Sequence, residues 1–365
     1  MQNLKRFSLI YMTVVIILGA CGGVFASEGT FEQLVSGEVL KSARLDLSWD
    51  NALPLKNGEK VARVDVIGDR VYVLTDHNYL FSVSSDNGRL IFGKDLAPAG
   101  FVVMELQGFE GNILTVIGNE IFILNADSGV VMEKRRLQFE AGSAGATSNG
   151  YVYFSGKDKR LHALDNKKKI EIFKVSADSG SDITAIQTQG RYVLFGSKVG
   201  EVVCMFPDRP AARWQYKADG GILAEIASDE NDAYCSSGDS YVQKLRLSDG
   251  ELLWRQAVGA MIEEGCVLGE GAVYQYSRDK GVSAMDKGDG RIKWELGEGE
   301  GLLAEAGKRA YVVGGGVLYV MDNEKEKQVY SVNFSSVTKY FTNTTDSRMY
   351  IANDDGRVAC LKPAE

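Results

Sequence analysis

The chain has 365 residues, with 41 lysines and arginines against 49 aspartates and glutamates, and its formal net charge at pH 7 is -8. An apolar content of 45% with 25% charged residues excludes a disordered chain and a multi-span membrane protein. The negative charge argues against a nucleic-acid binder, which needs a basic surface to displace counterions. The only histidines are His77 and His162, so a histidine-rich metal site is excluded, and both are interpreted as ordinary strand or loop residues.

The N-terminus has the pattern of an export signal. Lys5 and Arg6 precede an apolar run over residues 7–20, which is too short to span a bilayer comfortably. We therefore expect an exported, periplasmic protein. Removal of residues 1–20 takes away two positive charges and changes the formal charge from -8 to -10.

Two cleavage sites compete after the apolar run. Residues 18–21, Leu-Gly-Ala-Cys, resemble a bacterial lipobox and would place a lipid on Cys21. Residues 24–26 before Ser27 instead fit the rule for ordinary signal peptidase. The sequence leaves both alternatives open, and lipid on Cys21 would be the only membrane contact.

The domain plan follows from this N-terminus. We predict a signal peptide over residues 1–26, a tether over 27–40 and one folded domain over 41–365.

Four further cysteines are too few and too scattered for a disulfide framework or a metal site. Each lies in an apolar, strand-like context, so we expect small buried side chains. The sequence leaves open one bridge between neighbours among Cys204, Cys235, Cys266 and Cys360.

An internal repeat of about forty residues runs along the chain. Each unit contains a hydrophobic anchor residue, and the intervals between successive anchors are 41, 40, 41, 40, 40, 36 and 40 residues. The anchors are Val83, Leu124, Leu164, Met205, Leu245, Met285, Met321 and Leu361. Nine residues after each of the first seven anchors stands an aromatic residue, except in the second unit, which has Glu133. A repeat of this length predicts stacked supersecondary units.

Each unit has the composition of a four-stranded blade. A short run rich in β-branched and aromatic residues precedes each anchor, as at residues 71–74 and 192–195. Turns with glycine, aspartate or asparagine bound these runs. About four strands fit in forty residues, so the sequence predicts an all-β, eight-bladed β-propeller of four-stranded antiparallel blades.

The eighth unit ends at Glu365, before an outer strand could follow Leu361. Residues 45–55 have a strand pattern and contain Trp49. We predict that this N-terminal segment is the outer strand of the last blade and closes the ring.

The turns at residues 247–254 and 286–294, in which aspartate and glycine lead to a tryptophan, resemble the repeat of pyrroloquinoline-quinone-like (quinoprotein-type) propellers. The resemblance covers the chain from about residue 45 and implies a quinoprotein dehydrogenase-like fold. It also implies that the repeated aromatic residues dock one blade on the next and do not hold a cofactor. These residues are Trp49, Phe92, Phe173, Trp214, Trp254, Trp294 and Tyr330. Glu133 departs from the pattern, which predicts a weaker interface for blade two.

The family has two branches that differ in function. Large quinoprotein dehydrogenases hold a quinone and calcium and often carry a vicinal disulfide, whereas this chain has no vicinal cysteine pair and no long insertions. Smaller eight-bladed lipoproteins of outer-membrane barrel assembly are non-catalytic scaffolds of about this length. The resemblance therefore implies a monomeric, non-enzymatic scaffold with a protein partner in the cell envelope and with no cofactor, metal or catalytic residue. The alternatives are a quinone- or metal-dependent oxidoreductase and a periplasmic ligand or glycan sensor.

Two groups of residues are candidates for binding. Alignment on the anchors places Glu225, Glu264 and Glu305 at nearly the same point of blades five to seven, with Glu105 of blade two close to it. This point lies on the innermost strand, so these carboxylates are expected at the mouth of the central channel, where they would attract a cation or a basic segment. The alternative is a set of solvated charges.

The hairpin over residues 276–281 carries the second group. Tyr276 and Arg278 are candidate contact residues at one end of the ring, because propeller loops present function on a rigid scaffold. A plain solvated turn is the alternative.

Overall fold

The structure is a computed structural model and describes residues 33–364. Within this range the chain forms one helix and 32 strands, and the strands are arranged in eight separate four-stranded antiparallel sheets. The sheets are the blades of the predicted propeller, so the fold prediction is confirmed.

The N-terminal elements and the first four blades have the following bounds: α1 Gly37–Ala43 and β1 Leu45–Ala52; blade one, β2 Val61–Ile67, β3 Arg70–Thr75, β4 Tyr79–Ser84 and β5 Leu90–Asp95; blade two, β6 Gln107–Phe109, β7 Asn112–Ile117, β8 Glu120–Asn125 and β9 Val131–Arg136; blade three, β10 Ala146–Ser148, β11 Tyr151–Ser155, β12 Arg160–Asp165 and β13 Ile170–Ser176; blade four, β14 Ile183–Gln189, β15 Tyr192–Ser197, β16 Glu201–Met205 and β17 Ala212–Lys217.

The remaining blades have these bounds: blade five, β18 Ala227–Ser228, β19 Asp232–Ser237, β20 Tyr241–Arg246 and β21 Leu252–Ala257; blade six, β22 Val267–Leu268, β23 Ala272–Ser277, β24 Gly281–Asp286 and β25 Ile292–Leu296; blade seven, β26 Gly301–Ala306, β27 Arg309–Gly314, β28 Val317–Asp322 and β29 Lys327–Asn333; blade eight, β30 Lys339–Phe341, β31 Met349–Ala352 and β32 Arg357–Pro363 together with β1.

Strand order within the blades explains the repeat. In blades one to seven the four strands follow one another from the inner to the outer edge of the blade. The anchor of each of these blades lies on the third strand, at a β-bulge in its pairing with the fourth strand. A bulge bends and twists the outer strand at the same point of every blade, which is why the anchor and the following aromatic position keep a fixed spacing.

Blade eight is closed by both ends of the chain. Its sheet order is β1-β32-β31-β30, and β1 pairs antiparallel with β32 from Leu45 opposite Pro363 to Ala52 opposite Arg357. An ion pair between Arg357 Nε and Asp50 Oδ1, 2.8 Å apart and largely shielded from solvent, reinforces the pairing. The predicted closure of the ring by the N-terminal strand is confirmed.

The hydrophobic core is divided among the interfaces between blades. Eight clusters of buried side chains each join facing sheets of neighbouring blades, and one of them also includes α1. The core is therefore a ring of interfaces around the channel.

The segment before the ring contributes to this core. Leu34, Val35 and Leu40 are buried against blades seven and eight, and the Leu34 backbone N–H donates to Asp50 Oδ2 at 2.8 Å. Residues 34–40, which the sequence assigns to the tether, thus pack on the domain because their apolar side chains find a surface there. The predicted signal peptide over 1–26 and Cys21 lie outside the described residues. None of the helices within residues 33–364 is long and apolar enough to cross a membrane.

The two ends of the ring carry different connections. Because successive strands run in opposite directions, the hairpins between second and third strands and the links between blades share one end, here called the hairpin end. The turns between first and second strands and between third and fourth strands lie at the other, here called the turn end.

Candidate functional site

Three of the four predicted carboxylates lie at the hairpin end of the central channel. Glu105 and Glu225 occupy equivalent positions, two residues before Gln107 and Ala227 of the inner strands. Glu264 lies three residues before Val267 of blade six, one residue out of register with the other two. The structure therefore brings three of the four residues together.

These carboxylates repel one another. Burial raises the pKa of Glu105, and the negative charge of Glu225 raises it further. Burial and the same Glu225 charge also raise the pKa of Glu264. Desolvation and a nearby like charge both disfavour ionisation, so the channel mouth holds negative charge at a cost in free energy.

Arg63 is a cation beside this group and lines the same cavity as Glu105 and Glu225. Its Nε lies 2.8 Å from Asp65 Oδ2, and its Nη2 donates to the Met104 carbonyl oxygen at 3.2 Å. The guanidinium thus has partners of its own, and it lowers the pKa of Glu105 only as the third contribution after burial and Glu225.

A cavity of about 540 Å³ opens among the inner strands and links of blades one to five. Glu105, Glu225 and Arg63 line it together with Gln107 and Gln187. The small residues 142–146, in the link from blade two to blade three and at the start of β10, form part of its wall. This wall is not among the predicted site residues, although a run of glycine, alanine and serine ahead of an inner strand is a signal for open space.

Glu305 is in a different place. It pairs with Ala310 and is thereby equivalent to Ser228 and Leu268. The interval between the anchors Met285 and Met321 is 36 residues, which is shorter than the other intervals. Most of the missing residues are in the link at residues 297–300, ahead of β26, and not within blade seven. Alignment on the anchor of blade seven therefore gives Glu305 the wrong position.

The Glu305 carboxylate is buried between blades six and seven. It accepts hydrogen bonds from the Glu270 backbone N–H and the Tyr274 hydroxyl, both at 2.6 Å, and from Asn323 Nδ2 at 3.0 Å. Asn323 Oδ1 in turn accepts from the Trp294 indole N–H at 2.8 Å. These contacts give Glu305 a structural role as an acceptor that joins two blades.

The two candidate residues in the hairpin of blade six have different surroundings. The Arg278 side chain is exposed and pairs with Glu263. Tyr276 is half-buried and lines a cavity of about 80 Å³ with Glu264 and Tyr340. The hairpin therefore offers Arg278 to solvent and places Tyr276 beside Glu264.

The predicted docking residues lie between blades. The Trp214 indole N–H donates to the Leu247 carbonyl oxygen of the next blade at 2.8 Å, and Gly250 leaves room for the ring, since a Cβ there would lie 2.6 Å from it. Gly250 has φ +79°, which side chains other than glycine rarely adopt. Equivalent glycines face Trp49, Phe92 and Trp254. Tyr330 instead donates to the Ala43 carbonyl oxygen at 2.5 Å, and Phe173 packs in the cluster between blades three and four.

Blade two docks on blade three through charges. Glu133 Oε2 lies 3.1 Å from Lys169 Nζ, and Arg135 Nη2 donates to Asn166 Oδ1 at 2.8 Å. Lys169 stands where the turns of blades one, two, five and six have glycine, with φ +59°. Both departures are visible in the sequence as a pair, Glu133 nine residues after one anchor and Lys169 five residues after the next.

The four cysteines among the described residues are free and buried. Burial raises the pKa of the Cys204 and Cys266 thiols to about 12 and that of Cys360 to about 11, and it also raises the pKa of Cys235. Such thiols form little thiolate and are poor nucleophiles and ligands. Across residues 33–364, histidine, cysteine and carboxylate side chains form no group of three or more that could hold a metal ion.

Comparison with known proteins points to one kind of propeller. Residues 200–337, from blade four to the end of blade seven, match a family model described as outer membrane protein assembly factor BamB. A curated relative, outer membrane protein assembly factor BamB of Nitrosomonas eutropha, is 28% identical over 152 residues, which cover 40% of this chain and 37% of the relative. The match thus spans little more than a third of the relative's length.

Two solved structures share the fold. BamB from Moraxella catarrhalis has a TM-score of 0.67 at 15% identity, covering 87% of this chain and 97% of that one. The computationally designed Ika8 protein has a TM-score of 0.68 at 16% identity, covering 87% and 99%. The chain is therefore a quinoprotein-like propeller that resembles BamB.

Proposed function

We propose that this chain is an exported, non-catalytic propeller that acts as a protein-interaction scaffold in the assembly of outer-membrane proteins. The observation that carries the proposal is the likeness of blades four to seven to assembly factor BamB. The buried thiols and the structural hydrogen bonds of Glu305 support a scaffold over an enzyme.

The hairpin end is the face that we assign to the partner. It carries exposed apolar side chains in its links, with Phe101 55% and Val102 71% exposed, and Met261 is also exposed there. Exposed apolar groups near unpaired charges are typical of protein-binding surfaces. Arg278 lies at the same end.

The channel carboxylates belong to this proposed surface. Glu105, Glu225 and Glu264 repel one another and would be relieved by a basic segment of the partner. Glu305 is left out, because its oxygens are already occupied by three donors.

Site-specific photo-crosslinking in cells of the native host tests the proposal. A photoreactive residue at position 278 should capture an envelope protein, and one at position 289, at the turn end of the same blade, should not. Equal yields from both positions, or captured proteins with no part in outer-membrane assembly, would overturn the assignment. Loss of capture in the triple variant E105Q/E225Q/E264Q, but not in D86N/D127N/E324Q at the turn end, would place the basic segment at the channel mouth.

Export and lipid on Cys21 are part of the same proposal. Labelling of bacterial cells with radioactive palmitate should mark the wild-type chain and not Cys21→Ser. Absence of label in the wild type, with a mature N-terminus at Ser27, would favour the soluble alternative.

A further inference from the structure

The turns of blades three and four carry many cations for a chain whose net charge is -8. Residues 166–169 of blade three contain three lysines, and the turns at 190–191 and 206–211 of blade four contain two arginines against one carboxylate. The corresponding turns of blade five, at 229–231 and 247–251, contain four carboxylates and no cation. We call the cationic surface at the turn end of blades three and four the basic rim, and it consists of Lys167, Lys168, Lys169, Arg191, Arg209 and Arg213.

Direct contacts hold the turns of these two blades together. The Ser148 hydroxyl of blade three donates to the Gly190 carbonyl oxygen of blade four at 2.9 Å, and the Tyr153 hydroxyl donates to the Pro207 carbonyl oxygen at 2.8 Å. Both acceptors belong to turns that carry arginines of the basic rim. The cations of the two blades are therefore fixed side by side on one surface.

One aromatic ring positions two of the arginines. The guanidinium carbons of Arg209 and Arg213 lie 3.8 and 4.0 Å from the centroid of the Phe206 ring. Stacking stabilises a guanidinium over the ring face and leaves N–H groups free to donate to an anion. Two like charges are thus held close together, which favours the binding of negative charge.

The carboxylates around the basic rim are few and shielded. Among residues 33–364, three of the six cations have a carboxylate within 4 Å: Lys168 with Asp165 at 3.4 Å, Lys169 with Glu133 at 3.1 Å and Arg209 with Asp208 at 3.6 Å. The Asp165 and Glu133 side chains are 10% and 17% exposed, whereas those of Lys168 and Lys169 are 71% and 59% exposed. The basic rim therefore presents its positive charge to solvent.

Exposed apolar side chains accompany these cations. Ile170 follows Lys169 and is 51% exposed, and Val130 and Met132 on the facing edge of blade two are 58% and 60% exposed. The Lys169–Glu133 ion pair joins the two edges. Apolar side chains interspersed with lysines and arginines are typical of surfaces that lie in the headgroup region of a membrane, where the cations meet anionic lipid.

We propose that the basic rim, together with Val130, Met132 and Ile170, docks on an anionic membrane surface. Its charge complements phosphate-bearing headgroups, and its place at the turn end leaves the hairpin end to the protein partner. Surface charges act over about 10 Å at 0.1 M salt, so the acidic channel mouth at the other end does not cancel the attraction. The contact is additional to any lipid on Cys21 and does not depend on the identity of the partner.

Binding to lipid vesicles tests the proposal with purified protein alone. The mature form that begins at Ser27 is used, because it carries no lipid and contains all the described residues. At 0.1 M sodium chloride it should bind vesicles of 30% phosphatidylglycerol in phosphatidylcholine roughly tenfold more tightly than pure phosphatidylcholine, and 0.5 M salt should abolish the difference. Equal binding to both vesicles would overturn the proposal. Binding to polyglutamate but to neither vesicle would also overturn it, in favour of an acidic protein segment.

Removal of charge locates the contact. K167Q/R191Q/R209Q takes three cations from the basic rim, and because each contributes roughly fivefold to binding at an anionic surface, the affinity should fall by tenfold or more. R291Q/K308Q/K325Q takes three exposed cations from the same end of blades six and seven and should change the affinity by less than about twofold. Equal losses in the two variants would show that net charge, and not the basic rim, governs binding.

A fluorescent probe tests the apolar part of the surface. Because the four cysteines of the described residues are buried, an environment-sensitive dye reacts selectively with a cysteine introduced at an exposed position. The emission of dye on Ile170→Cys should shift to shorter wavelength on anionic vesicles, whereas dye on Val329→Cys of blade seven, a position that is 45% exposed, should not respond. Equal shifts at both positions, or no shift at position 170, would contradict docking through these side chains.

Discussion

Single residues in the turns between third and fourth strands decide how closely two blades approach. Gly290 shows why: its φ is +78°, and a Cβ would lie 2.7 Å from the Trp254 ring of the preceding blade. The Trp254 indole N–H meanwhile donates to the Lys287 carbonyl oxygen of the same turn at 3.3 Å. The turn must therefore both bend and leave space, and only glycine does both without strain.

Replacement of this glycine separates the two requirements. Gly290→Ala should lower the free energy of unfolding by about 2–4 kcal/mol, since backbone strain adds to overpacking. Gly307→Ala, at φ +55° with no neighbour within 4 Å, should show the strain alone, about 1 kcal/mol. Urea denaturation measures all three proteins. Equal losses for the two variants would mean that the contact with Trp254 contributes nothing.

At the residue scale, a sequence predicts the positions that recur in every repeat better than those that depend on contacts in the folded chain. The docking tryptophans were predictable because they recur at a fixed distance from the anchors. The place of Glu305 was not, because it depends on where a short repeat has lost its residues, and the hydrogen bonds to Tyr274 and Asn323 come from positions far apart in the chain. The sequence predicts an ordinary strand or loop residue at position 162, because Phe139 and Glu171 become neighbours of His162 only when the blade folds.

At the scale of elements, blade two differs from the others in the way it meets its neighbour. The aromatic residue is replaced by Glu133, the facing glycine by Lys169, and the indole donor by Arg135, which donates to Asn166. The interface thus keeps a donor to the next turn but exchanges apolar contact for an ion pair. Ion pairs that are partly exposed are weaker at high salt.

A double-mutant cycle should show that the residues at positions 133 and 169 depend on each other. Glu133→Trp alone should destabilise the fold by about 1–2 kcal/mol, because the lysine at 169 occupies the space for the ring and loses its partner. The double variant E133W/K169G should recover stability, with a coupling free energy of about 1–2 kcal/mol.

Urea melts at 0.1 and 1 M sodium chloride provide the control, since the wild type has the Glu133–Lys169 ion pair and should lose more stability at high salt than the double variant, which lacks it. Additive effects of the two substitutions would contradict the view that these positions form one docking pair.

The closing strand β1 is the other exceptional element. Deletion of residues 40–57 should abolish the single cooperative unfolding transition, because the sheet of blade eight would lose its outer strand and the Asp50–Arg357 pair. A circular permutant that joins residue 364 to residue 44 by a short linker should remain folded, since the Ala364 N–H already donates to the Arg44 carbonyl oxygen at 2.9 Å. Circular dichroism melts distinguish the two. An unchanged melt of the deletion variant would contradict the role of β1 in closing the ring.

At the scale of the whole molecule, the positions of the carboxylates affect folding stability more than the net charge does. Three carboxylates converge on one mouth of a channel, and the fold holds the pKa of Glu105 and of Glu264 above the ordinary value, through burial first and Glu225 second. An acid whose pKa is raised by folding favours the folded state at low pH and loses that contribution as the pH rises through the raised pKa.

The variant E105Q/E225Q/E264Q should therefore have a higher Tm than the wild type at pH 7.5, and the difference should shrink at pH 3.5, where Glu105 and Glu264 of the wild type are protonated because their pKa values are raised. Differential scanning calorimetry at both pH values measures it. The turn-end variant D86N/D127N/E324Q removes the same formal charge from exposed carboxylates that pair with Arg348, Arg70 and Lys308, and it should not gain stability. A lower Tm for the channel variant at pH 7.5 would mean that the three carboxylates are stabilised by contacts other than solvent.

The eight-bladed ring was predictable from the sequence because the blade pattern occurs eight times along the chain. An error in the interpretation of one unit therefore does not change the number of blades. The channel mouth was only partly predictable, because convergence around an axis is a property of the closed ring and not of any repeat.

The pairing of β1 with β32 also fixes an order of events. The first strand of the ring to be synthesised is the one whose partner is made last, and Asp50 must wait for Arg357, 307 residues later. Until then β1 has an unpaired edge and the apolar face of blade eight is open, which is the kind of surface that aggregates. Contacts this distant in the chain form slowly, so the newborn chain has an interval of vulnerability that lasts for the whole time of its synthesis and ends only when its two ends meet.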